Sequence, residues 1–186
     1  RFLEELDIAT ARRPLATEGR VSQPKTKVWL PPSGEAAKFN CDGGLSTLGD
    51  KGAAGVVCRD KLGKFLGASA TVSDGLTDPA SLEALACSEA LALARDLNLQ
   101  DLAIASDCAE VISNIKSASF PSYAPILREI QTSSNNFSSI DFRFESRYNN
   151  FEAHLLVKGA ASLAVGRHVW LRVLPDIACI PDGVNF

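Results

Sequence analysis

Three carboxylates stand at positions from which a folded chain could gather them. Asp42 ends the alternating run KFNCD (38–42), directly ahead of Gly43 and Gly44. Asp107 directly follows the apolar run LAIAS (102–106), and Glu83 lies in the first turns of an Ala-, Leu- and Glu-rich stretch from Asp78 to Leu97. Each has an ordinary explanation on its own. Asp42 fits a turn former, Glu83 an acid favoured by a helix dipole, and Asp107 an N-cap with Glu110 completing a capping box. Jointly they would supply hard oxygen donors, which suit Mg²⁺. Two such ions about 3.5–4 Å apart can activate a water and stabilise the leaving oxygen of a phosphodiester. Without metal, crowded carboxylates repel one another.

The surrounding pattern supplies the elements that would position them. Phe39 and Cys41 alternate with Asn40 and Asp42, the two-residue period of a strand, and the two glycines are expected to end it. AGVVCRD (54–60) and KFLGASATV (64–72) read as two further strands around a turn at 60–63, giving an antiparallel meander. The stretch 78–97 has a strong helical composition, with Pro79 near its start, where proline is tolerated. Its stripe Glu83, Cys87, Ala90, Ala94 predicts a face packed on the sheet. Glu89, roughly 240° round the helix from Glu83, is expected to point to solvent. LAIAS reads as a short buried strand, 107–115 as a helix, and SYAPILREIQTSS as another with Pro125 in its opening turn. SIDFRFESR (139–147) reads as a last strand and 152–166 as a closing helix. The order βββ, α, β, α, α, β, α predicts a mixed α/β layered domain with a five-stranded sheet and helices on both faces.

The 186 residues, 46% apolar, suit one domain with a sizeable core. Residues 1–36 read as a linker or disordered segment, 37–166 as the domain and 167–186 as a C-terminal tail. No run reaches the roughly 18–20 apolar residues of a membrane helix, and the charged first residues do not resemble a signal peptide. A chain starting at Arg1 without any methionine is expected to be part of a longer product. The net charge of −3 weighs against tight phosphate binding by the domain alone, an objection that bound metal would soften. Five cysteines without C-x-x-C spacing, and histidines only at His154 and His168, argue against a zinc site and for free thiols inside the cell, without distinguishing nucleus from cytoplasm.

Five blocks extend the pattern: WLPPSGEAAKFNCDGG (29–44), GAAGVVCRDKLGKFLGA (52–68), EALACSEALALARDL (83–97), IASDCAEVI (104–112) and NFEAHLLVKGA (150–160). With the tail WLRVLPDIACIPD (170–182), they resemble the ribonuclease H-like domain of plant non-LTR retroelement reverse transcriptases and their domesticated relatives. The resemblance spans about residues 29–185. It implies four acidic positions holding two Mg²⁺ (or Mn²⁺) ions, of which the first three fall on Asp42, Glu83 and Asp107. The fourth falls on His154, a softer ligand less suited to Mg²⁺. A family histidine ahead of the last helix has no equivalent, Phe144 standing at the matching position.

The resemblance thus implies a domain that cleaves the RNA strand of RNA–DNA hybrids, with Asp42, Glu83, Asp107 and His154 as the catalytic set; the sequence leaves the oligomeric state open, with a monomeric domain the expectation. The alternative is a nucleic-acid-binding or protein-interaction module that kept the fold without turnover, which His154, Phe144 and the acidic charge favour. Selectivity for RNA would rest on 2′-hydroxyl contacts, for which Asn40, Gly43 and Gly44 are candidates. Lys38, Arg59, Lys61 and Lys64 are candidate phosphate contacts, or else a solvated strand face.

Overall fold

A computed structural model describes residues 27–46, 49–117 and 119–184. Most of the expected linker, residues 1–26, lies outside them. The chain forms β1 (Ala37–Leu45), β2 (Lys51–Arg59), β3 (Phe65–Asp74), α1 (Pro79–Asp96), β4 (Asp101–Ser106), α2 (Ala109–Ser117), α3 (Ala124–Ser134), β5 (Ser139–Phe144), α4 (Phe151–Ala160) and β6 (Gly166–Leu171). None of the described helices is long and apolar enough to cross a membrane.

The sheet runs β5-β4-β1-β2-β3-β6. The meander β1-β2-β3 is antiparallel, β4 joins β1 and β5 joins β4 in parallel, and β6 closes the far edge antiparallel to β3. This is the ribonuclease H-like architecture expected from the sequence, with six strands rather than five. The extra strand comes from the segment expected to be a tail. Its alternation is weak because one of its rows, Arg167, Val169 and Leu171, faces solvent.

Strand alternation divides the interior into two cores. Phe39, Cys41, Val56 and Cys58 pack with α1, α2 and α3 on one face. Ala53, Val57, Ala68 and Val72 pack with Leu156, Val157 and Ala160 of α4 on the other. Leu82, Leu91 and Leu93 of α1 are fully buried, each contributing about 1.5–3 kcal/mol by leaving water. Helix α1 begins where expected: the Asp78 carboxylate accepts from Ser81 N–H at 2.9 Å, and Pro79 opens the first turn.

Contrary to expectation, Gly43 and Gly44 continue β1 instead of ending it. Gly43 marks a close approach. A Cβ there would lie 2.4 Å from the Leu82 carbonyl carbon and 2.5 Å from the Glu83 nitrogen, so only glycine lets the first turn of α1 rest on the strand.

Two of the candidate phosphate contacts prove to be neither contacts nor solvated. Lys38 and Arg59 are fully buried. Lys38 Nζ meets Glu145 at 2.7 Å and the Leu30 carbonyl at 2.6 Å, and lies over the Trp29 ring. Arg59 forms a two-pronged pair with Glu152 at 2.9 and 2.7 Å, and donates to the carbonyls of Gly63, Asp182 and Pro181. Cationic side chains are rarely buried unless paired, so inward-facing positions of β1 and β2 look outward-facing in the sequence. Lys61 is exposed and pairs with Glu35, and Lys64 is exposed. Glu89 is likewise buried: it accepts from Arg167 Nε at 2.7 Å and from the Thr71 hydroxyl at 3.1 Å. Arg167 lies in the unexpected sixth strand, so the sequence pattern gives no sign of the partner that draws Glu89 inward.

Gly43→Ala is expected to cost about 1–3 kcal/mol by overpacking a contact made of backbone atoms. Gly183→Ala, where a Cβ meets nothing within 4 Å, should stay within about 0.5 kcal/mol. Urea denaturation of both variants checks this, and equal stabilities would refute the close-approach role of Gly43.

Candidate metal centre

The parallel register brings the two aspartates together. Cys41 of β1 pairs with Ser106 of β4, and the next residue on each strand is Asp42 and Asp107. Glu83 reaches the same point from the first turns of α1, over the glycine that admits the helix. One ligand atom from each of Asp42, Glu83 and Asp107 lies within 4.8 Å of the others. Among the described residues this is the one His, Cys, Asp or Glu cluster suited to a metal ion. The cluster lines a cavity of about 350 Å³ at the end of the sheet, whose walls include Gly43, Gly44, Arg147, His154 and Lys158.

His154 joins from α4, its Nδ1 lying 3.1 Å from Asp42 Oδ2. One amino nitrogen of Arg147 lies 3.2 Å from His154 Nδ1 and 3.1 Å from Nε2. A single atom that close to both ring nitrogens must sit over the face of the imidazole, as a cation stacks on an aromatic ring. All four expected site residues therefore meet in one cavity. Phe144 does not face it. It ends β5 and is 54% exposed, and the basic residue that this stretch sends to the cavity is Arg147.

Two positioning residues carry no distinctive signal in the sequence. Asn150, directly ahead of α4, makes no side-chain cap. Its amide instead donates to the Cys41 carbonyl at 2.7 Å and to Asp107 Oδ1 at 3.2 Å, while its oxygen accepts from Asn40 at 3.0 Å. It thereby ties the ends of β1 and β4 to the start of α4. Asn40, a candidate substrate contact, is buried in this network and does not line the cavity. Ser106 donates to Glu83 Oε2 at 3.1 Å and accepts from the Cys108 amide at 3.0 Å. Asparagine before a helix and serine at a strand end have so many ordinary uses that neither stands out from its neighbours. The expected capping box is not formed as such, since Asp107 turns its carboxylate to Asn150 and into the cavity.

Burial, reinforced by the charges of Asp42 and Asp107, pushes Glu83 up to about 8, against the opposing hydrogen bonds from Ser106 and the Gly43 backbone. Burial and the Asp107 charge also raise Asp42, while His154 and Arg147 oppose the shift. Oxygen donors that resist ionising side by side are what a divalent cation would relieve. The donor set therefore fits a hard cation on Asp42, Glu83 and Asp107.

A family model described as reverse transcriptase-like matches residues 40–160, which include all four site residues. No curated protein matches the chain. Among solved structures, the N-terminal RNase H domain of a Mycobacterium tuberculosis protein superposes with a TM-score of 0.61 at 18% identity, covering 69% of this chain and 94% of that one. RNase H1 from Halobacterium salinarum gives 0.57 at 20% identity, covering 68% and 96%. LC11-RNase H1, isolated from compost by a metagenomic approach and solved in complex with an RNA/DNA hybrid, gives 0.58 at 19% identity, covering 65% and 93%. At these identities the likeness establishes the fold.

Between its ordinary 4.5 and about 8, folded Glu83 keeps a proton that the unfolded chain releases. The metal-free protein must then lose stability as pH rises through that window. We expect its Tm to fall from pH 5 to pH 8 by on the order of 5 °C. Glu83→Gln should flatten the fall, and added Mg²⁺ should reverse it. A melting curve independent of pH in this range would refute the crowded-carboxylate picture.

Proposed function

The chain belongs to the reverse transcriptase-like family, and from that premise we propose that it is a metal-dependent endonuclease cleaving the RNA strand of RNA–DNA hybrids. The plant non-LTR retroelement origin implied by the sequence resemblance forms part of this reading. The observation that carries it is the meeting of Asp42, Glu83 and Asp107, from β1, α1 and β4, within 4.8 Å. A neighbour in fold captured with an RNA/DNA hybrid supports the substrate class.

In this reading the three carboxylates hold the cation, Mg²⁺ by preference with Mn²⁺ as a substitute. When bound, it supplies Lewis-acid polarisation of the phosphoryl oxygen and a more acidic water. The remaining work falls to the chain's own residues. Asn150 and Ser106 hold Asp107 and Glu83 in place, so the acids are oriented before substrate arrives. His154, bonded to Asp42 and partly open to the cavity, is placed to exchange a proton with a water or a phosphate oxygen. The half-buried backbone of Gly43 and Gly44 forms part of the cavity wall, where a ribose-phosphate strand can come close. Hydrolysis leaves 3′-hydroxyl and 5′-phosphate ends. The pair of ions implied by the resemblance would need a fourth acidic corner, where this chain has His154 and Arg147.

That same corner favours a second reading, a domain that binds hybrids without turnover. The two readings part in one assay with a labelled RNA–DNA hybrid and Mg²⁺. Cleavage is expected, and Asp42→Asn should lower it more than about 100-fold, beyond the loss usual for residues that only support a ligand. Equal behaviour of the native chain and Asp42→Asn would overturn the catalytic reading. Salt-sensitive hybrid binding without cleavage would establish the second.

A further inference from the structure

The hydrolysis reading leaves open how many cations the cavity takes, and the fourth corner answers. Asp42 Oδ2 is already engaged by His154 at 3.1 Å. The Arg147 guanidinium lies against that imidazole, its amino group over the ring at 3.2 and 3.1 Å from its nitrogens. Any second cation bridging from Asp42 on this side would meet a fixed positive charge instead of oxygen donors. Guanidinium cannot shed that charge by deprotonating. Lys158 lines the same cavity, and among the described residues no fourth carboxylate does.

Charge balance points the same way. With one divalent ion, the three carboxylates, Arg147 and Lys158 sum to a single positive charge. With two, the ions alone exceed the carboxylates, and Arg147 and Lys158 add to the excess. At the 3.5–4 Å or so that separates paired ions, such an excess is costly in a partly dehydrated cavity.

We propose that this site holds a single divalent cation, bound by Asp42, Glu83 and Asp107, and that Arg147 stacked on His154 takes the place of a second. The inference rests on the metal-binding reading of the three acids. Arg147 lines the cavity, and its remaining N–H donors can grip the phosphate oxygen that a second ion would otherwise neutralise.

The deciding experiment counts ions. The full chain is titrated with Mn²⁺, with bound metal measured by equilibrium dialysis and the spectrum recorded by electron paramagnetic resonance. One Mn²⁺ per chain at saturation, without spin coupling between ions, is expected. Two per chain with a coupled signal would overturn the inference while leaving the hydrolysis reading intact. No bound Mn²⁺ would overturn both. Arg147 is exposed, so Arg147→Gln should fold, as circular dichroism can verify. Combined with His154→Asp, it removes the positive charge and adds a carboxylate. This double variant should take up a second, coupled Mn²⁺. A count that stays at one would overturn the assignment of the limit to His154 and Arg147.

Discussion

The fit of the first turn of α1 onto β1 is the contact on which everything else in this molecule depends. It exists because Gly43 presents no side chain to Leu82 and Glu83, and it sets a helical carboxylate beside one within β1 and one just after β4. Such a gathering opposes itself. Burial and mutual repulsion hold Glu83 far above its ordinary range and raise Asp42. Folding energy gained elsewhere, in two apolar cores either side of the sheet, must hold these groups together.

Two buried ion pairs show how the second face of the site is secured. Lys38 on β1 grips Glu145, the residue after β5, and so fixes the base of the loop that presents Arg147 and Asn150. Arg59 on β2 grips Glu152 on α4, two residues before His154. Both pairs are reinforced by hydrogen bonds to backbone carbonyls, the condition under which buried charge is tolerated. Burial draws Lys38 below its ordinary range, and Glu145 pulls it back. Each pair therefore supports a segment that reaches the cavity, and each joins positions far apart in sequence, 107 residues in one case and 93 in the other.

Much of this is legible from residues alone, for identifiable reasons. The meander, the long helix and the following strand announce themselves by period and composition, and two aspartates read as strand-end residues, with a glutamate on the packed helix face, point to the cluster, although β1 runs on past Asp42 to Leu45. What stays hidden depends on partners. Glu89 looks like a solvent-facing acid until Arg167 is brought across by β6. Lys38 and Arg59 look like surface cations until Glu145 and Glu152 arrive. Asn150 looks like a helix cap, yet gives its amide to Cys41 and Asp107. Local pattern reports which face a residue should occupy. It does not report a charge neutralised by a distant segment.

The grip of Arg59 on the carbonyls of Pro181 and Asp182 makes one guanidinium the junction of three segments. The side chain that seats α4 through Glu152 also pins residues 181 and 182 beside the end of β2. Ending the chain before Pro181 would strip a fully buried cation of two backbone acceptors, a loss felt as far away as α4.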